Sequence, residues 1–391
     1  ACNNTAIGYD SLKANTTGTN NVAIGVSAMQ SNTTANSNIG IGREALYTNT
    51  TSIGNTAIGA LALNNSTGAN NTALGCGSLR NNTTASNNTA VGFCSLYSNT
   101  TGAGNAAVGT RALQNLTTGA NNVAVGFSAF CSGTTAYDSV AMGVEALTLN
   151  TTGHSNTAIG RQAMCKTTTG TNNTSLGAFA LCANTTATSN TAVGNNALKA
   201  NTTGTQNTAI GKDAMLSNTE GSYSVAVGNN ALQTQTTGAN NVAVGRTALA
   251  ALTTGTRNTV VGGSYALGAG AAMTTGFHNV VVGNDAAGTM NTGSNNTVVG
   301  TEAFKLATTG SHNTAIGDKA MCTLTTANSN TAVGREAMKL NTTGAFNTAV
   351  GTDTMVQNTT ASNNAAFGYN ALNLNTTGTA LTAIGAYALD A

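Results

Sequence analysis

The chain contains no tryptophan and no proline, and it is short of charge: 7% of its 391 residues are Asp, Glu, Lys or Arg, and 4% are aromatic. Each shortage excludes something. A net charge of +2 is too small for an electrostatic footprint on nucleic acid or an anionic membrane. No apolar run approaches the roughly 20 residues of a spanning helix, so membrane insertion is not expected. No basic segment leading into an apolar run opens the sequence as given, so a secretion signal is expected to be absent or already removed. Missing proline suits strands in which nearly every residue donates a hydrogen bond to a neighbour. Disordered chains are usually charged, proline-rich and poor in β-branched residues. Here Val, Ile and Leu instead recur at fixed places.

What is present is a repeat. Read from its glycine, one unit is G-x-x-A-L-x-x-N-T-T-G-x-x-N-T-A-V. The key glycines run from Gly8, Gly25, Gly42 and Gly59 to Gly385. There are 23 of them, and 20 of the 22 intervals are 17 residues. Such self-similarity overrides the two or three domains that length alone would suggest. Residues 1–391 therefore read as one continuous array with phase irregularities at 59–75 and 262–283. The first is one residue short (ALNNSTG) and the second four residues long (GGSYALGAGAAMTTG). Both fall in or beside turns, where a solenoid tolerates length change, and the second is expected to be a harmless insertion.

Seventeen residues must return the chain to the same place one layer along. A helix about 10 Å across cannot keep pace with β-coils stacked at about 4.8 Å, so helix is excluded as the repeating element. Two short strands are expected in each coil. The first is N-T-A-V, as at Asn156 to Ile159, with Thr157 and Ile159 on one face and Ala158 on the other. The second is x-A-L-x-x, as at Gln162 to Lys166, closed by an N-T-T-G corner. The fold class expected is all-β, a parallel β-solenoid (β-roll) of about 23 coils, on the order of 110 Å long. Asparagine columns, as at Asn21, Asn122, Asn173 and Asn241, are expected to stack into amide ladders. Charges avoid the strands: 22 of 26 lie one, two or five residues after a key glycine.

The expected core is thin, with Ile/Val and Leu/Met columns inside and little else to offset the entropy of ordering 17 residues. The alanine column (Ala23, Ala57, Ala90, Ala124) is expected on the other strand face. It would form a narrow apolar stripe that a second copy covers, which points to cyclic homo-oligomerisation.

Chemistry is hard to find. His154, His278 and His312 lie in different coils without a carboxylate or cysteine at ligand spacing. No Ser–His–acid set, phosphate loop or recurring Asp column is visible. No catalytic, cofactor-binding or metal site is expected, no cofactor, and no enzyme. Of seven cysteines, Cys165 and Cys182 are one period apart, and free thiols are favoured over a bridge because their Cβ vectors run parallel. Sequons such as Asn15-Thr16-Thr17 and Asn201-Thr202-Thr203 read first as turn residues, and as glycan acceptors in a suitable secretory setting.

NNVAIGVSA (Asn20 to Ala28), NNVAVGFSA (Asn121 to Ala129) and NNVAVGRTA (Asn240 to Ala248) resemble the head repeat of trimeric autotransporter adhesins. The longer phrase NTAIGxxALxxNTTGxxN is similar to arrays in bacteriophage tail-fibre proteins. The resemblance covers essentially the whole chain. It implies a left-handed β-roll assembled as a homotrimer that binds host surfaces. The period of 17 exceeds the adhesins' 14 to 15, and no stalk, membrane barrel or chaperone domain is visible, which favours the tail-fibre implication.

The function expected is a structural fibre, extracellular, cell-surface or virion-borne, that spaces or presents binding surfaces. Exposed Phe93, Phe127 and Tyr369 would add weak contacts to a cell-surface receptor or glycan. Two alternatives are a self-assembling filament with open coil ends docking head to tail, and an ice-binding solenoid using threonine columns. Adjacent threonines pointing apart count against the second.

Overall fold

Each repeat contributes one three-residue strand in the computed structural model, which describes residues 2–263 and 269–390. Two units are distinguished, Ala1–Asn190 and Thr191–Ala391. The first carries β1 (Thr5–Ile7) to β11 (Thr174–Leu176), and the second β12 (Thr191–Val193) to β23 (Thr382–Ile384). Both are all-β parallel solenoids with the expected 17-residue period, about 23 turns in total.

Register follows the repeat. In the first unit Thr5, Ala6 and Ile7 lie opposite Val22, Ala23 and Ile24. In the second, Thr331 lies opposite Thr348 and Ala332 opposite Ala349. The short repeat keeps this register, pairing Thr56 with Thr72, because its corner has lost a residue rather than its strand. Ser66 takes the corner place and its Oγ accepts a bond from Asn82 Nδ2 at 2.9 Å. The long repeat keeps it too, pairing Thr259 with Val280. Of the irregularity at 262–283, residues 264–268 lie outside the described residues.

The second expected strand is not a strand. Gln162 to Lys166 form consecutive turns, with Ala163 N donating to Gly160 O at 3.3 Å and Thr167 N to Met164 O at 3.1 Å. Gln162 and Met164 take left-handed conformations, φ 54° and 50°, which cost an ordinary residue roughly 1–2 kcal/mol. Their amides explain how the cost is met. Gln162 N donates backward to Val144 O at 2.9 Å, and Met164 N donates forward to Ala180 O at 3.0 Å. The segment thus bonds to the coils on both sides without being extended.

The two strand faces are the reverse of the expectation. Ala158 is buried, while Thr157 and Ile159 are only partly covered and face outward. The same holds along both units, where Ala23, Ala57, Ala90, Ala124, Ala209 and Ala332 are wholly buried. The Leu/Met column is inside as expected (Leu46, Leu113, Met164, Leu232), but the Ile/Val column is not. Space inside the narrow coil decides this. The mid-strand residue faces the Leu/Met column, where alanine is the usual fit and Val260, Val281 and Val298 take the same buried place. At Gly40 a Cβ would already stand 2.8 Å from Met29 Cγ. The alanine stripe is therefore core and is not available to a second chain.

The key glycines have two reasons to be glycine. Gly92 has φ +135°, a conformation essentially closed to L side chains, and a Cβ there would lie 2.6 Å from Gly109 O in the next coil.

Candidate functional site: an uncharged outer strand face

With the alanines inward, the first and third residues of each strand point out. The first-residue column holds only Thr, Val, Ile and Ala, and the third only Ile, Val, Leu, Met and Phe, in all 23 strands. No charge and no amide interrupts either column. The third column is well exposed in places, for example Leu176 at 46% and Ile210 at 41%. β-branched side chains have few rotamers, so this face is stiff; its third column is apolar throughout and its first mixes Thr with Val, Ile and Ala. Contiguous apolar surface of more than a few hundred Å² is rare on a solitary soluble protein. Eleven rows spaced about 4.8 Å, each roughly 7 Å wide, reach that size within one unit.

Asparagines brace the face from behind. Each asparagine just before a strand caps backbone groups of the next coil, and all but Asn4 are buried. Asn88 Nδ2 donates to Gly102 O at 3.0 Å, and its Oδ1 accepts from Asn105 N at 2.8 Å. The ladder named from sequence is present. Asn122 Nδ2 donates to Ala136 O at 2.9 Å and Asn173 Nδ2 to Asn156 Oδ1 at 3.2 Å. Asn21 and Asn241 make the matching bonds to Ala35 O and Gly255 O, both 2.8 Å. A second buried column, the corner asparagine of N-T-T-G, bonds within its own turn and to the coil below. Asn99 Nδ2 donates to Gly102 O at 2.9 Å and to Asn82 Oδ1 at 3.0 Å. Corner backbone amides converge on single carbonyls: Thr16 N, Thr17 N and Gly18 N all donate to Thr33 O, at 2.9, 3.2 and 3.3 Å.

The aromatic residues singled out from sequence follow key glycines and are exposed: Phe93, Phe127 and Tyr369. Phe93 and Phe127 are separated by the coil of Thr110, and Tyr369 instead meets Tyr387 edge-on at 5.3 Å. They do not form one site. His154 stacks on Tyr137 with ring centroids 4.4 Å apart, and His278 Nε2 lies 3.2 Å from Arg257 Nη1. Backbone His312 N donates to Ser294 O at 3.0 Å. Among the described residues no three His, Cys, Asp or Glu side chains come together as metal ligands, and no helix is long and apolar enough to cross a membrane.

No family model and no curated protein matches this chain.

None of the seven cysteines is in a disulfide. Cys165 Sγ donates to Cys182 O at 3.5 Å. The side-chain hydrogen bond with Cys182, then burial, pushes the Cys165 thiol well above its ordinary pKa. Burial raises Cys322 and Cys94 as well. The charges form exposed pairs along one edge. Arg335 Nη2 meets Asp353 Oδ2 at 2.8 Å and Lys339 meets Glu336 at 3.0 Å, each pair worth about 0–1 kcal/mol.

Sequence reasoning missed two things here. It missed the left-handed residues, because Leu and Met carry no signal for positive φ. It also missed the buried state of the corner asparagines, although Leu116, Leu252 and Leu324 in the same place of other coils were a usable clue.

Proposed function

We propose that this chain is a structural fibre protein, extracellular or virion-borne, whose copies associate side by side as a homotrimer and space or present binding surfaces. The observation that carries the reading is the uninterrupted apolar column on the outer strand face, flanked by Thr and Val. An apolar column running the length of each unit asks for a partner, and only a partner with the same rise per coil keeps its side chains in step along it. A second copy meets that condition by construction. The number three comes from the resemblance to trimeric adhesin heads and tail-fibre arrays.

The mechanism in this reading is mechanical. Continuous ladders of backbone bonds, asparagine bonds and threonine bonds such as Thr100 Oγ1 to Thr117 O at 3.0 Å resist bending and opening. The exposed aromatics Phe93, Phe127 and Tyr369 add contacts to a receptor or glycan. Sedimentation equilibrium of the purified chain tests the reading. A mass of three chains supports it, and a monomer at tens of micromolar contradicts it.

A further inference from the structure

Sequons recur through the repeat, and the fold sorts them into classes that the sequence cannot distinguish. The commonest class is N-T-T at the corner. Its asparagines, such as Asn82, Asn99, Asn150 and Asn201, are wholly buried. Their amide nitrogens are engaged: Asn82 Nδ2 donates to Ala85 O and Ser66 Oγ, both at 2.9 Å, and Asn150 Nδ2 to Gly153 O at 2.8 Å. The sequon threonine two residues on points the other way, into solvent, as at Thr84, Thr101 and Thr152. Asparagine and hydroxyl therefore lie on opposite sides of the chain.

One N-N-T, Asn81-Asn82-Thr83, also lies at a corner, with Asn81 half-buried and Thr83 Oγ1 donating to Thr100 O at 2.9 Å. A second class is N-N-T leading into a strand, at Asn3, Asn70, Asn87, Asn172 and Asn295. All five of these asparagines are exposed. The middle residue is the buried ladder asparagine, for example Asn71 or Asn88. The threonine is the first strand residue and faces outward with the acceptor asparagine, as at Thr72, Thr89 and Thr174, all exposed. Amide and hydroxyl two residues apart thus share one side, where one enzyme can reach both. A third class, including Asn65-Ser66-Thr67 and Asn115-Leu116-Thr117, exposes its asparagine but commits its threonine. Thr67 Oγ1 donates to Thr83 O at 2.9 Å, and Thr117 Oγ1 to Thr134 O at 2.9 Å.

We infer that the folded chain accepts N-linked sugar at the N-N-T asparagines that lead into strands, Asn3, Asn70, Asn87, Asn172 and Asn295, and not at the far commoner N-T-T corners. The substrate class is a sugar activated at its anomeric carbon by phosphate or pyrophosphate. In the transfer, Asn Nδ2 forms a bond to that carbon while the carbon–oxygen bond to the phosphate breaks. The phosphate leaves with the electron pair and Nδ2 gives up one proton. A glycan on the buried Asn99 would have to displace its bonds to Gly102 and Asn82, so modification there is incompatible with the coil. The inference requires the first strand column beside each acceptor to stay open to solvent, so it holds for a coil whose outer face is not covered by a second copy.

The test uses the purified, folded full chain, a soluble N-glucosyltransferase and UDP-glucose, with peptide mass spectrometry. A sample unfolded in urea and diluted into the same reaction serves as reference. The expected result is hexose on Asn70, Asn87, Asn172 and Asn295 in the folded chain, with Asn99, Asn150 and Asn201 labelled only in the unfolded sample. Asn87→Gln removes one labelled peptide and leaves the others. Hexose on Asn99 or Asn201 of the folded chain overturns the inference. So does a folded chain unlabelled at the strand-leading N-N-T positions that react when unfolded, or labelling of Asn65 and Asn115 in their place.

Discussion

Phe130 occupies the space that an asparagine holds in most other coils: a Cβ on Gly133 would stand 2.8 Å from Phe130 Cε2. Phenylalanine replaces the usual Leu or Met inside the coil, and the corner residue three places on has shrunk to glycine. The other buried phenylalanine, Phe304, is followed at the same distance by Ala307, and both are wholly buried. Interior volume, rather than the identity of any one residue, is what each coil conserves.

This relationship predicts a coupled pair. Phe130→Leu leaves a cavity and costs about 1–3 kcal/mol. Gly133→Asn in the parent forces a clash and costs a similar amount. The double variant restores the common coil and should lose much less than the sum of the two. Urea denaturation of all four chains measures the coupling, and additive losses would show that the two sites are independent.

Gly92→Ala should cost about 1–3 kcal/mol from its backbone conformation alone, and more from the contact with Gly109 O. Thr101→Ala, at an exposed corner, should fall within about 0.5 kcal/mol of the parent. Chemical denaturation followed by far-ultraviolet circular dichroism separates the two outcomes.

Asn88→Ala should leave the buried Asn105 N without its partner, while Gly102 O keeps its bond from Asn99 Nδ2. The cost expected is about 1–3 kcal/mol. Asn88→Ser should be milder, because the ladder already contains that solution. Ser139 Oγ accepts from Asn156 N at 3.1 Å and donates to Tyr137 O at 3.1 Å. Equal losses for the two variants would mean that the ladder bond contributes little.

Thiol reactivity should follow burial. Cys2 and Cys76 are exposed, whereas Cys165 and Cys322 are half-buried with raised pKa values. Alkylation with iodoacetamide near pH 8 should modify the first two well before the second two, as read by peptide mass spectrometry. A raised folded pKa stabilises fully below the unfolded thiol value, near 8.5, and the contribution is lost as pH rises further. At the acid end, Lys305 lowers Glu302. Its contribution is present above the unfolded glutamate value near 4.3 and lost as pH falls through the folded one. Melting temperature should therefore be nearly flat from about pH 5 to 8 and decline on both sides.

Much of this fold was legible in the repeat. Key glycines at Gly8, Gly25 and their successors fixed the coil length, and N-T-A-V placed every strand. The strand faces were not legible, because Thr157-Ala158-Ile159 has apolar candidates on both sides, and alanine reads equally well as a contact stripe or as a tight core. One usable signal was tolerance. The outer column accepts Thr throughout β10 (Thr157–Ile159) to β13 (Thr208–Ile210), whereas the one hydroxyl in the inner column there, Ser175, has to donate to Ala180 O at 3.0 Å. The turns at Gln162 and Met164 were hidden for another reason. Their geometry is imposed by carbonyls of neighbouring coils that accept from their amides, which no local propensity encodes.

The central claim is that alanine faces inward and the Ile/Val column faces out toward a second copy. Electron cryo-microscopy of the purified chain at side-chain resolution tests it most directly. The account predicts coils spaced about 4.8 Å, small side-chain density inside each strand, and Val125, Ile159 and Val193 packed against neighbouring chains. Density with Ala124, Ala158 and Ala192 at the contact between chains, and the branched residues enclosed within the coil, would contradict it.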